Sequence, residues 1–154
     1  MVHAKTFKFY FIINKIDFDF NLLLIIVMHL YSDETGTYDI IKLWELTKDL
    51  PAFDVPLDTL TFNLDESEWS NEDKIYDDND YVLPHRVLRY RELYPNNFNR
   101  ILKSDLNYSV LISKNKYIID GLHRVCKCII YDIDLISVKL VPDTILIQAK
   151  INND

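Results

Sequence analysis

The stretch Tyr117-Ile118-Ile119-Asp120-Gly121-Leu122-His123-Arg124-Val125-Cys126-Lys127 constrains this chain more than any other, because its residue types demand three backbone geometries in succession. Tyr117, Ile118 and Ile119 are aromatic and β-branched, as in a buried strand. Asp120-Gly121 is a turn signal, since glycine reaches backbone angles closed to other residues. The chain has only two glycines among 154 residues, so one placed here is informative. Beyond the turn, Leu122, Val125, Cys126, Ile129 and Ile130 recur at the spacing of a helix with one buried face. His123, Arg124 and Lys127 fall on the other face.

Such a turn has a chemical use. The first turn of a helix carries backbone N–H groups without intrahelical partners and the positive end of the macrodipole, which together favour an anion. A cation there opposes the dipole by roughly 0.3–1 kcal/mol, so His123 and Arg124 are mildly unfavourable unless an anion lies among them. A phosphate cradled by the amides of Gly121, Leu122, His123 and Arg124, with Arg124 and Lys127 as side-chain partners, relieves that conflict. The alternative is that Asp120 simply caps the helix and the basic residues form its solvated face.

The length suits one domain with a core of its own. With 49% hydrophobic and 13% aromatic residues, the chain is not a disordered acidic tail. A net charge of −7 argues against direct DNA binding, which normally needs a basic surface, although a local basic cleft remains compatible with it. The two cysteines, Cys126 and Cys128, share one helix and cannot sensibly bridge each other, so the chain suits a reducing, cytoplasmic compartment. They read as buried small hydrophobes rather than half of a zinc site.

Residues 1–30 read as an N-terminal extension to a domain over residues 31–154. Phe7, Phe9 and Phe11 alternate with Lys8 and Tyr10 as in a strand, and Asn14-Lys15 offers a turn. This segment is either an added hairpin or upstream sequence before a natural start at Met28. The apolar run over residues 20–31 is interrupted by Asn21 and His29 and falls short of the roughly 20 residues a bilayer crossing needs, so no membrane association is expected. Ile40, Leu43, Trp44 and Thr47 then predict a helix capped by Asp39, with Trp44 in the core. Residues 55–60 alternate as a strand, Pro56 suggesting a sheet edge or a first-residue position. Residues 63–81 are strongly acidic and read as a solvated loop, or else as a lid or metal-organising loop beside the phosphate site. Pro84 opens a helix bearing His85 and Arg86, which either add a second phosphate contact or face the acidic loop. Pro95 interrupts the helical pattern, and Phe98, Ile101 and Leu102 continue an apolar face beyond it.

Asp120-Gly121-Leu122-His123-Arg124 resembles the Asp-Gly-x-His-Arg signature of the ParB/sulfiredoxin-like superfamily. Its surroundings resemble that family too: Lys103-Ser104-Asp105-Leu106-Asn107-Tyr108, then Val110-Leu111-Ile112, a turn at residues 113–115, the signature, and Ile136-Ser137-Val138-Lys139-Leu140-Val141. The resemblance covers the last third of the chain well. It extends more weakly to Val55-Pro56-Leu57, similar to the family's opening strand; Ser109 stands where a subgroup has proline. It implies an α+β fold, a small mixed β-sheet packed with helices, and a nucleotide site using a tri- or diphosphate with Mg²⁺.

Sulfiredoxins carry their reactive cysteine where this chain has Leu122, which excludes that activity. ParB proteins have a helix-turn-helix region after the domain, for which the residues beyond Val141 leave no room. The first expectation is therefore a nucleotide-dependent phosphotransferase, similar to the family's small-molecule kinases, or an NTPase, with an unknown small-molecule or protein acceptor. In those kinases the aspartate matching Asp120, and a glutamate at about the place of Glu66, lie near the transferred group; Asp120 or Glu66 would be the base. The second is a non-catalytic nucleotide-sensing or protein-interaction module. A ParB-like nuclease ranks third, since no paired-carboxylate metal motif is evident.

Overall fold

A computed structural model describes residues 5–12 and 26–151. Strands β1 (Lys5–Ile12) and β2 (Ile26–Asp33) pair antiparallel, with Thr6 opposite Ser32 and Ile12 opposite Ile26. The Asn14-Lys15 turn read from the sequence lies outside the described residues. Strand β3 (Gly36–Asp39) folds back on β2 and leads into helix α1 (Ile40–Thr47), whose first turn is capped where Lys42 N donates to Asp39 Oδ1 at 3.1 Å. Strand β4 (Phe53–Pro56) is followed by a 3₁₀ turn over Leu57–Leu60, helix α2 (Asn63–Glu66) and strands β5 (Ser67–Ser70) and β6 (Tyr81–Val82). Helices α3 (Pro84–Arg89) and α4 (Pro95–Lys103) each start on a proline, which suits a position whose missing N–H costs no hydrogen bond.

The resemblance matches residues 103–108 to a helix, but residues 104–109 form a connection with no helix or strand of their own. Strands β7 (Val110–Ile112) and β8 (Ile118–Asp120) form a hairpin, helix α5 (Leu122–Ile130) follows, and strand β9 (Leu135–Leu140) returns parallel to β7 before helix α6 (Asp143–Ala149). Two sheets result, ordered β3-β2-β1-β5-β6 and β4-β9-β7-β8, and the fold is of the α+β class. Every residue of β7 and β8 is buried, and Leu122, Val125 and Cys126 of α5 share a core with Ile40 and Leu43 of α1 and Ile101 of α4. Each such side chain contributes about 1.5–3 kcal/mol relative to exposure.

Three further expectations are corrected. The strand at residues 55–60 lies earlier, because Thr59 Oγ1 donates to Pro56 O at 2.7 Å and Thr61 Oγ1 to Asp58 O at 2.9 Å, local bonds that favour a 3₁₀ turn over a ladder. Its edge position, signalled by Pro56, is observed. Trp44 is not a core residue: it remains 47% exposed.

The third correction concerns the acidic tract, which is a built structure rather than a solvated loop. Buried Asn71 donates from Nδ2 to Asp77 O at 2.8 Å and to Asn79 O at 2.9 Å, and its Oδ1 accepts from Asp73 N at 2.9 Å. Buried Asp73 accepts from the backbone N–H groups of Asn96 and Asn97, each at 3.0 Å, and so caps α4 from outside that helix. Asn63, also buried, accepts at Oδ1 from Ile118 N at 2.9 Å and ties α2 to the β7–β8 hairpin.

Candidate functional site

The strand register builds the site. Leu111 of β7 lies opposite Lys139 of β9 on one side and Asp120 of β8 on the other, so these three residues form a row across one face of the four-stranded sheet. Val138 of β9 and Val110 of β7 are paired on the opposite face and are buried. Helix α1 lies beside the row, and Lys139 Nζ donates to the carbonyls of Thr47 at 3.0 Å and Lys48 at 2.8 Å, satisfying acceptors left at the helix C-terminus.

At the end of β8 the chain turns through Gly121, at φ +105°, into α5. The Arg124 side chain folds back across this turn: a Cβ on Gly121 would lie 2.6 Å from Arg124 Nη2. That nitrogen donates to Asp120 Oδ2 at 3.0 Å and approaches Ser109 O at 3.4 Å, and Trp44 Nε1 donates to the same Asp120 oxygen at 2.9 Å. The Asp120 and Arg124 side chains are only 10% and 15% exposed, so the charges are paired in a largely desolvated setting. Asp120 thus supplies the negative charge that a first-turn arginine calls for.

The expected cradle residues part company here. His123 stacks on Trp69, ring centroids 4.2 Å apart and planes 2° from parallel, and joins α5 to β5. Lys127 donates to Leu102 O at 2.8 Å and Ser104 O at 2.6 Å, at the C-terminal end of α4. Leu122 is core, and only Arg124 of the basic trio reaches Asp120. Arg86 faces the acidic segment, with Nη2 3.7 Å from Asp77 Oδ2, and His85 Nδ1 lies 2.7 Å from Asp65 Oδ1. Glu66 lines a different cavity, of about 690 Å³, with Tyr31, Tyr38 and Tyr117; the structure does not bring it together with Asp120. Cys126 and Cys128 are buried and unbridged, and burial pushes both thiols up, so neither is a nucleophile at neutral pH.

Beside Asp120 opens a cavity of about 600 Å³. Three cations line it, Lys48, Arg124 and Lys139, against one carboxylate, Asp120, and its apolar lining comes from Leu111 and the rings of Trp44 and Tyr108. Sequence reasoning missed Trp44, Lys48, Tyr108, Ser109 and Lys139. The signal for Lys139 was present: Ile136 and Val138 point inward, which turns Ser137 and Lys139 to the opposite face. Tyr108 and Ser109 sit in an aperiodic connection and gave none.

Among the described residues no group of three or more His, Cys, Asp or Glu side chains could hold a metal ion, and no helix is long and apolar enough to cross a membrane. The chain matches no protein-family model, and neither the curated proteins nor the solved structures contain a significant match to it.

Proposed function

We propose that this is a ParB-like, nucleotide-binding domain that takes a phosphate-bearing ligand in the cavity beside Asp120. The observation that carries the reading is the cavity's lining: three cations against one carboxylate, with aromatic and apolar surface between them. That chemistry suits an anion with a planar organic part. The Asp-Gly-x-His-Arg resemblance supports it independently, because Asp120, Gly121 and Arg124 occupy the strand–turn–helix junction at the cavity's edge.

Incoming phosphate oxygens compete with Asp120 for Arg124, and Lys48 adds an exposed charge. Mg²⁺ would arrive on the phosphates, since it commonly keeps several waters and binds through substrate phosphates with one or two carboxylates. Asp120 is the carboxylate lining the cavity. Arg124 and Trp44 both donate to Oδ2 of Asp120, which stabilises the ionised carboxylate and weakens it as a base for phosphoryl transfer. Its engagement by both donors favours the non-catalytic nucleotide-sensing module as the second reading.

The test is the thermal midpoint against ATP, ADP, CTP and GTP, with and without Mg²⁺, beside Lys48→Ala, a surface change that leaves the core untouched. A ligand at about 100 times its dissociation constant adds roughly 2.7 kcal/mol, or about 5–10 °C for a domain of this size. A shift for any nucleotide that shrinks in Lys48→Ala is the expected result; no shift with any of them overturns the reading. Release of inorganic phosphate with Mg²⁺ separates a phosphotransferase or NTPase from a module that binds without turnover.

A further inference from the structure

The connection from α4 to β7, residues 104–109, has no helix or strand of its own, yet it is tied down at both ends. At one end Lys127 of α5 donates to Ser104 O at 2.6 Å, and Ser104 Oγ donates to Ile101 O at 2.8 Å. At the other, Ser109 Oγ lies 2.7 Å from Ser137 Oγ of β9, and Arg124 Nη2 approaches Ser109 O at 3.4 Å. Between them Asn107 N donates to Asp105 Oδ1 at 2.9 Å, an aspartate turn that shapes the backbone locally. A connection pinned at both ends and turned by its own side chain presents residue 108 from a defined place.

That residue is Tyr108, which is 68% exposed and lines the Asp120 cavity. Among the described residues its side chain has no hydrogen bond, ion pair or ring contact. Trp44, the other ring lining the cavity, is engaged with Asp120 through its indole N–H. Tyr108 is thus an aromatic surface that a ligand meets without displacing a protein contact. Tyrosine suits such a place, because its ring is flat and amphipathic and has few torsions to immobilise.

The charges locate the rest of the ligand. Lys139 is engaged by the Thr47 and Lys48 carbonyls, which leaves Lys48 and Arg124 to meet phosphate oxygens. Arg124 also approaches the carbonyl of Ser109, the residue after Tyr108, so the phosphate contact and the ring are linked through one short piece of backbone.

We infer that Tyr108 stacks on the planar ring of the bound ligand, and that this contact distinguishes a nucleotide from bare polyphosphate at the site. The inference rests on the nucleotide reading and names the residue that sets its selectivity. Two competing roles are a hydrogen bond from the phenol hydroxyl to the ligand and an indirect effect through the connection on Arg124. They separate chemically: phenylalanine keeps the ring and loses the hydroxyl, alanine loses both, and an effect through Arg124 falls on polyphosphate as heavily as on nucleotides.

The experiment measures ATP, CTP and GTP affinity by calorimetry for the wild type, Tyr108→Phe and Tyr108→Ala, with inorganic tripolyphosphate as the ring-free probe. Stacking predicts that Tyr108→Ala weakens the best nucleotide by about 10-fold or more while Tyr108→Phe stays within about threefold of wild type, tripolyphosphate being insensitive to either change. Thermal midpoints of the unliganded variants should match the wild type, since the ring is largely exposed. Equal losses in the two variants would assign the contact to the hydroxyl and overturn the proposal. So would a Tyr108→Ala protein with undiminished nucleotide affinity, an equal loss for tripolyphosphate, or wild-type protein that binds tripolyphosphate as tightly as the nucleotides. A wild-type protein that binds neither nucleotides nor tripolyphosphate removes the nucleotide reading itself, a different result from any of these.

Discussion

Gly121 is constrained twice over. Its φ of +105° lies where side chains with a Cβ are strained, and the space a Cβ would fill is taken by the Arg124 guanidinium. Valine satisfies neither condition. Gly121→Val is therefore expected to destabilise the protein by at least about 2 kcal/mol, read as a lower urea midpoint at unchanged slope. Replacing Arg124 acts differently: it leaves Asp120 desolvated with Trp44 as its remaining donor, so a loss of ligand affinity in such a variant is confounded with a loss of fold. Lys48 and Trp44, both exposed, are the cleaner probes of the cavity.

At the scale of elements, the acidic segment shows how much a short connection can hold. The residue at the N-cap of α4, Tyr94, offers no capping side chain, and Asp73 does the work from more than twenty residues away in sequence. Asp73→Ala should cost about 1–3 kcal/mol, since it orphans two N–H groups of α4. Faster amide exchange at Asn96 and Asn97 than elsewhere in the helix would show that the loss is local; uniform acceleration would count against the cap. Helix α5 and the β7–β8 hairpin were legible in the sequence, because their apolar spacing and turn residues are local signals. The supports built by Asn63, Asn71 and Asp73 were not: one of them, Asn63 to Ile118, spans 55 positions, and nothing in a run of acidic residues marks which are buried. The same limit hid the cavity, whose lining comes from α1, β7, β8, α5, β9 and the connection before β7, while its Asp120-Gly121 edge was readable from one stretch.

For the molecule as a whole, 24 acidic against 17 basic residues make stability depend on pH in a definite sense. The Tyr94 hydroxyl bonded to Asp77, and then the backbone of Asn79, hold the Asp77 carboxyl below its ordinary value; the Lys74 ammonium does the same for Asp80. A carboxylate lowered in the folded state stabilises above its unfolded pKa of about 4, and that contribution is lost as the pH falls through the folded value. Acid should therefore weaken the wild type below about pH 4, and Tyr94→Phe should be less stable than wild type at pH 7 yet converge with it at low pH, as measured by thermal midpoints across the range. A gap that stays constant with pH would mean that Tyr94 acts through packing alone. The folding back of Arg124 over Gly121 also bears on the descent of such chains. Two positions that fill one space do not change independently: a lineage that surrendered the arginine would free position 121 from its steric restriction while keeping the conformational one, so asparagine there would become tolerable only after the arginine had gone.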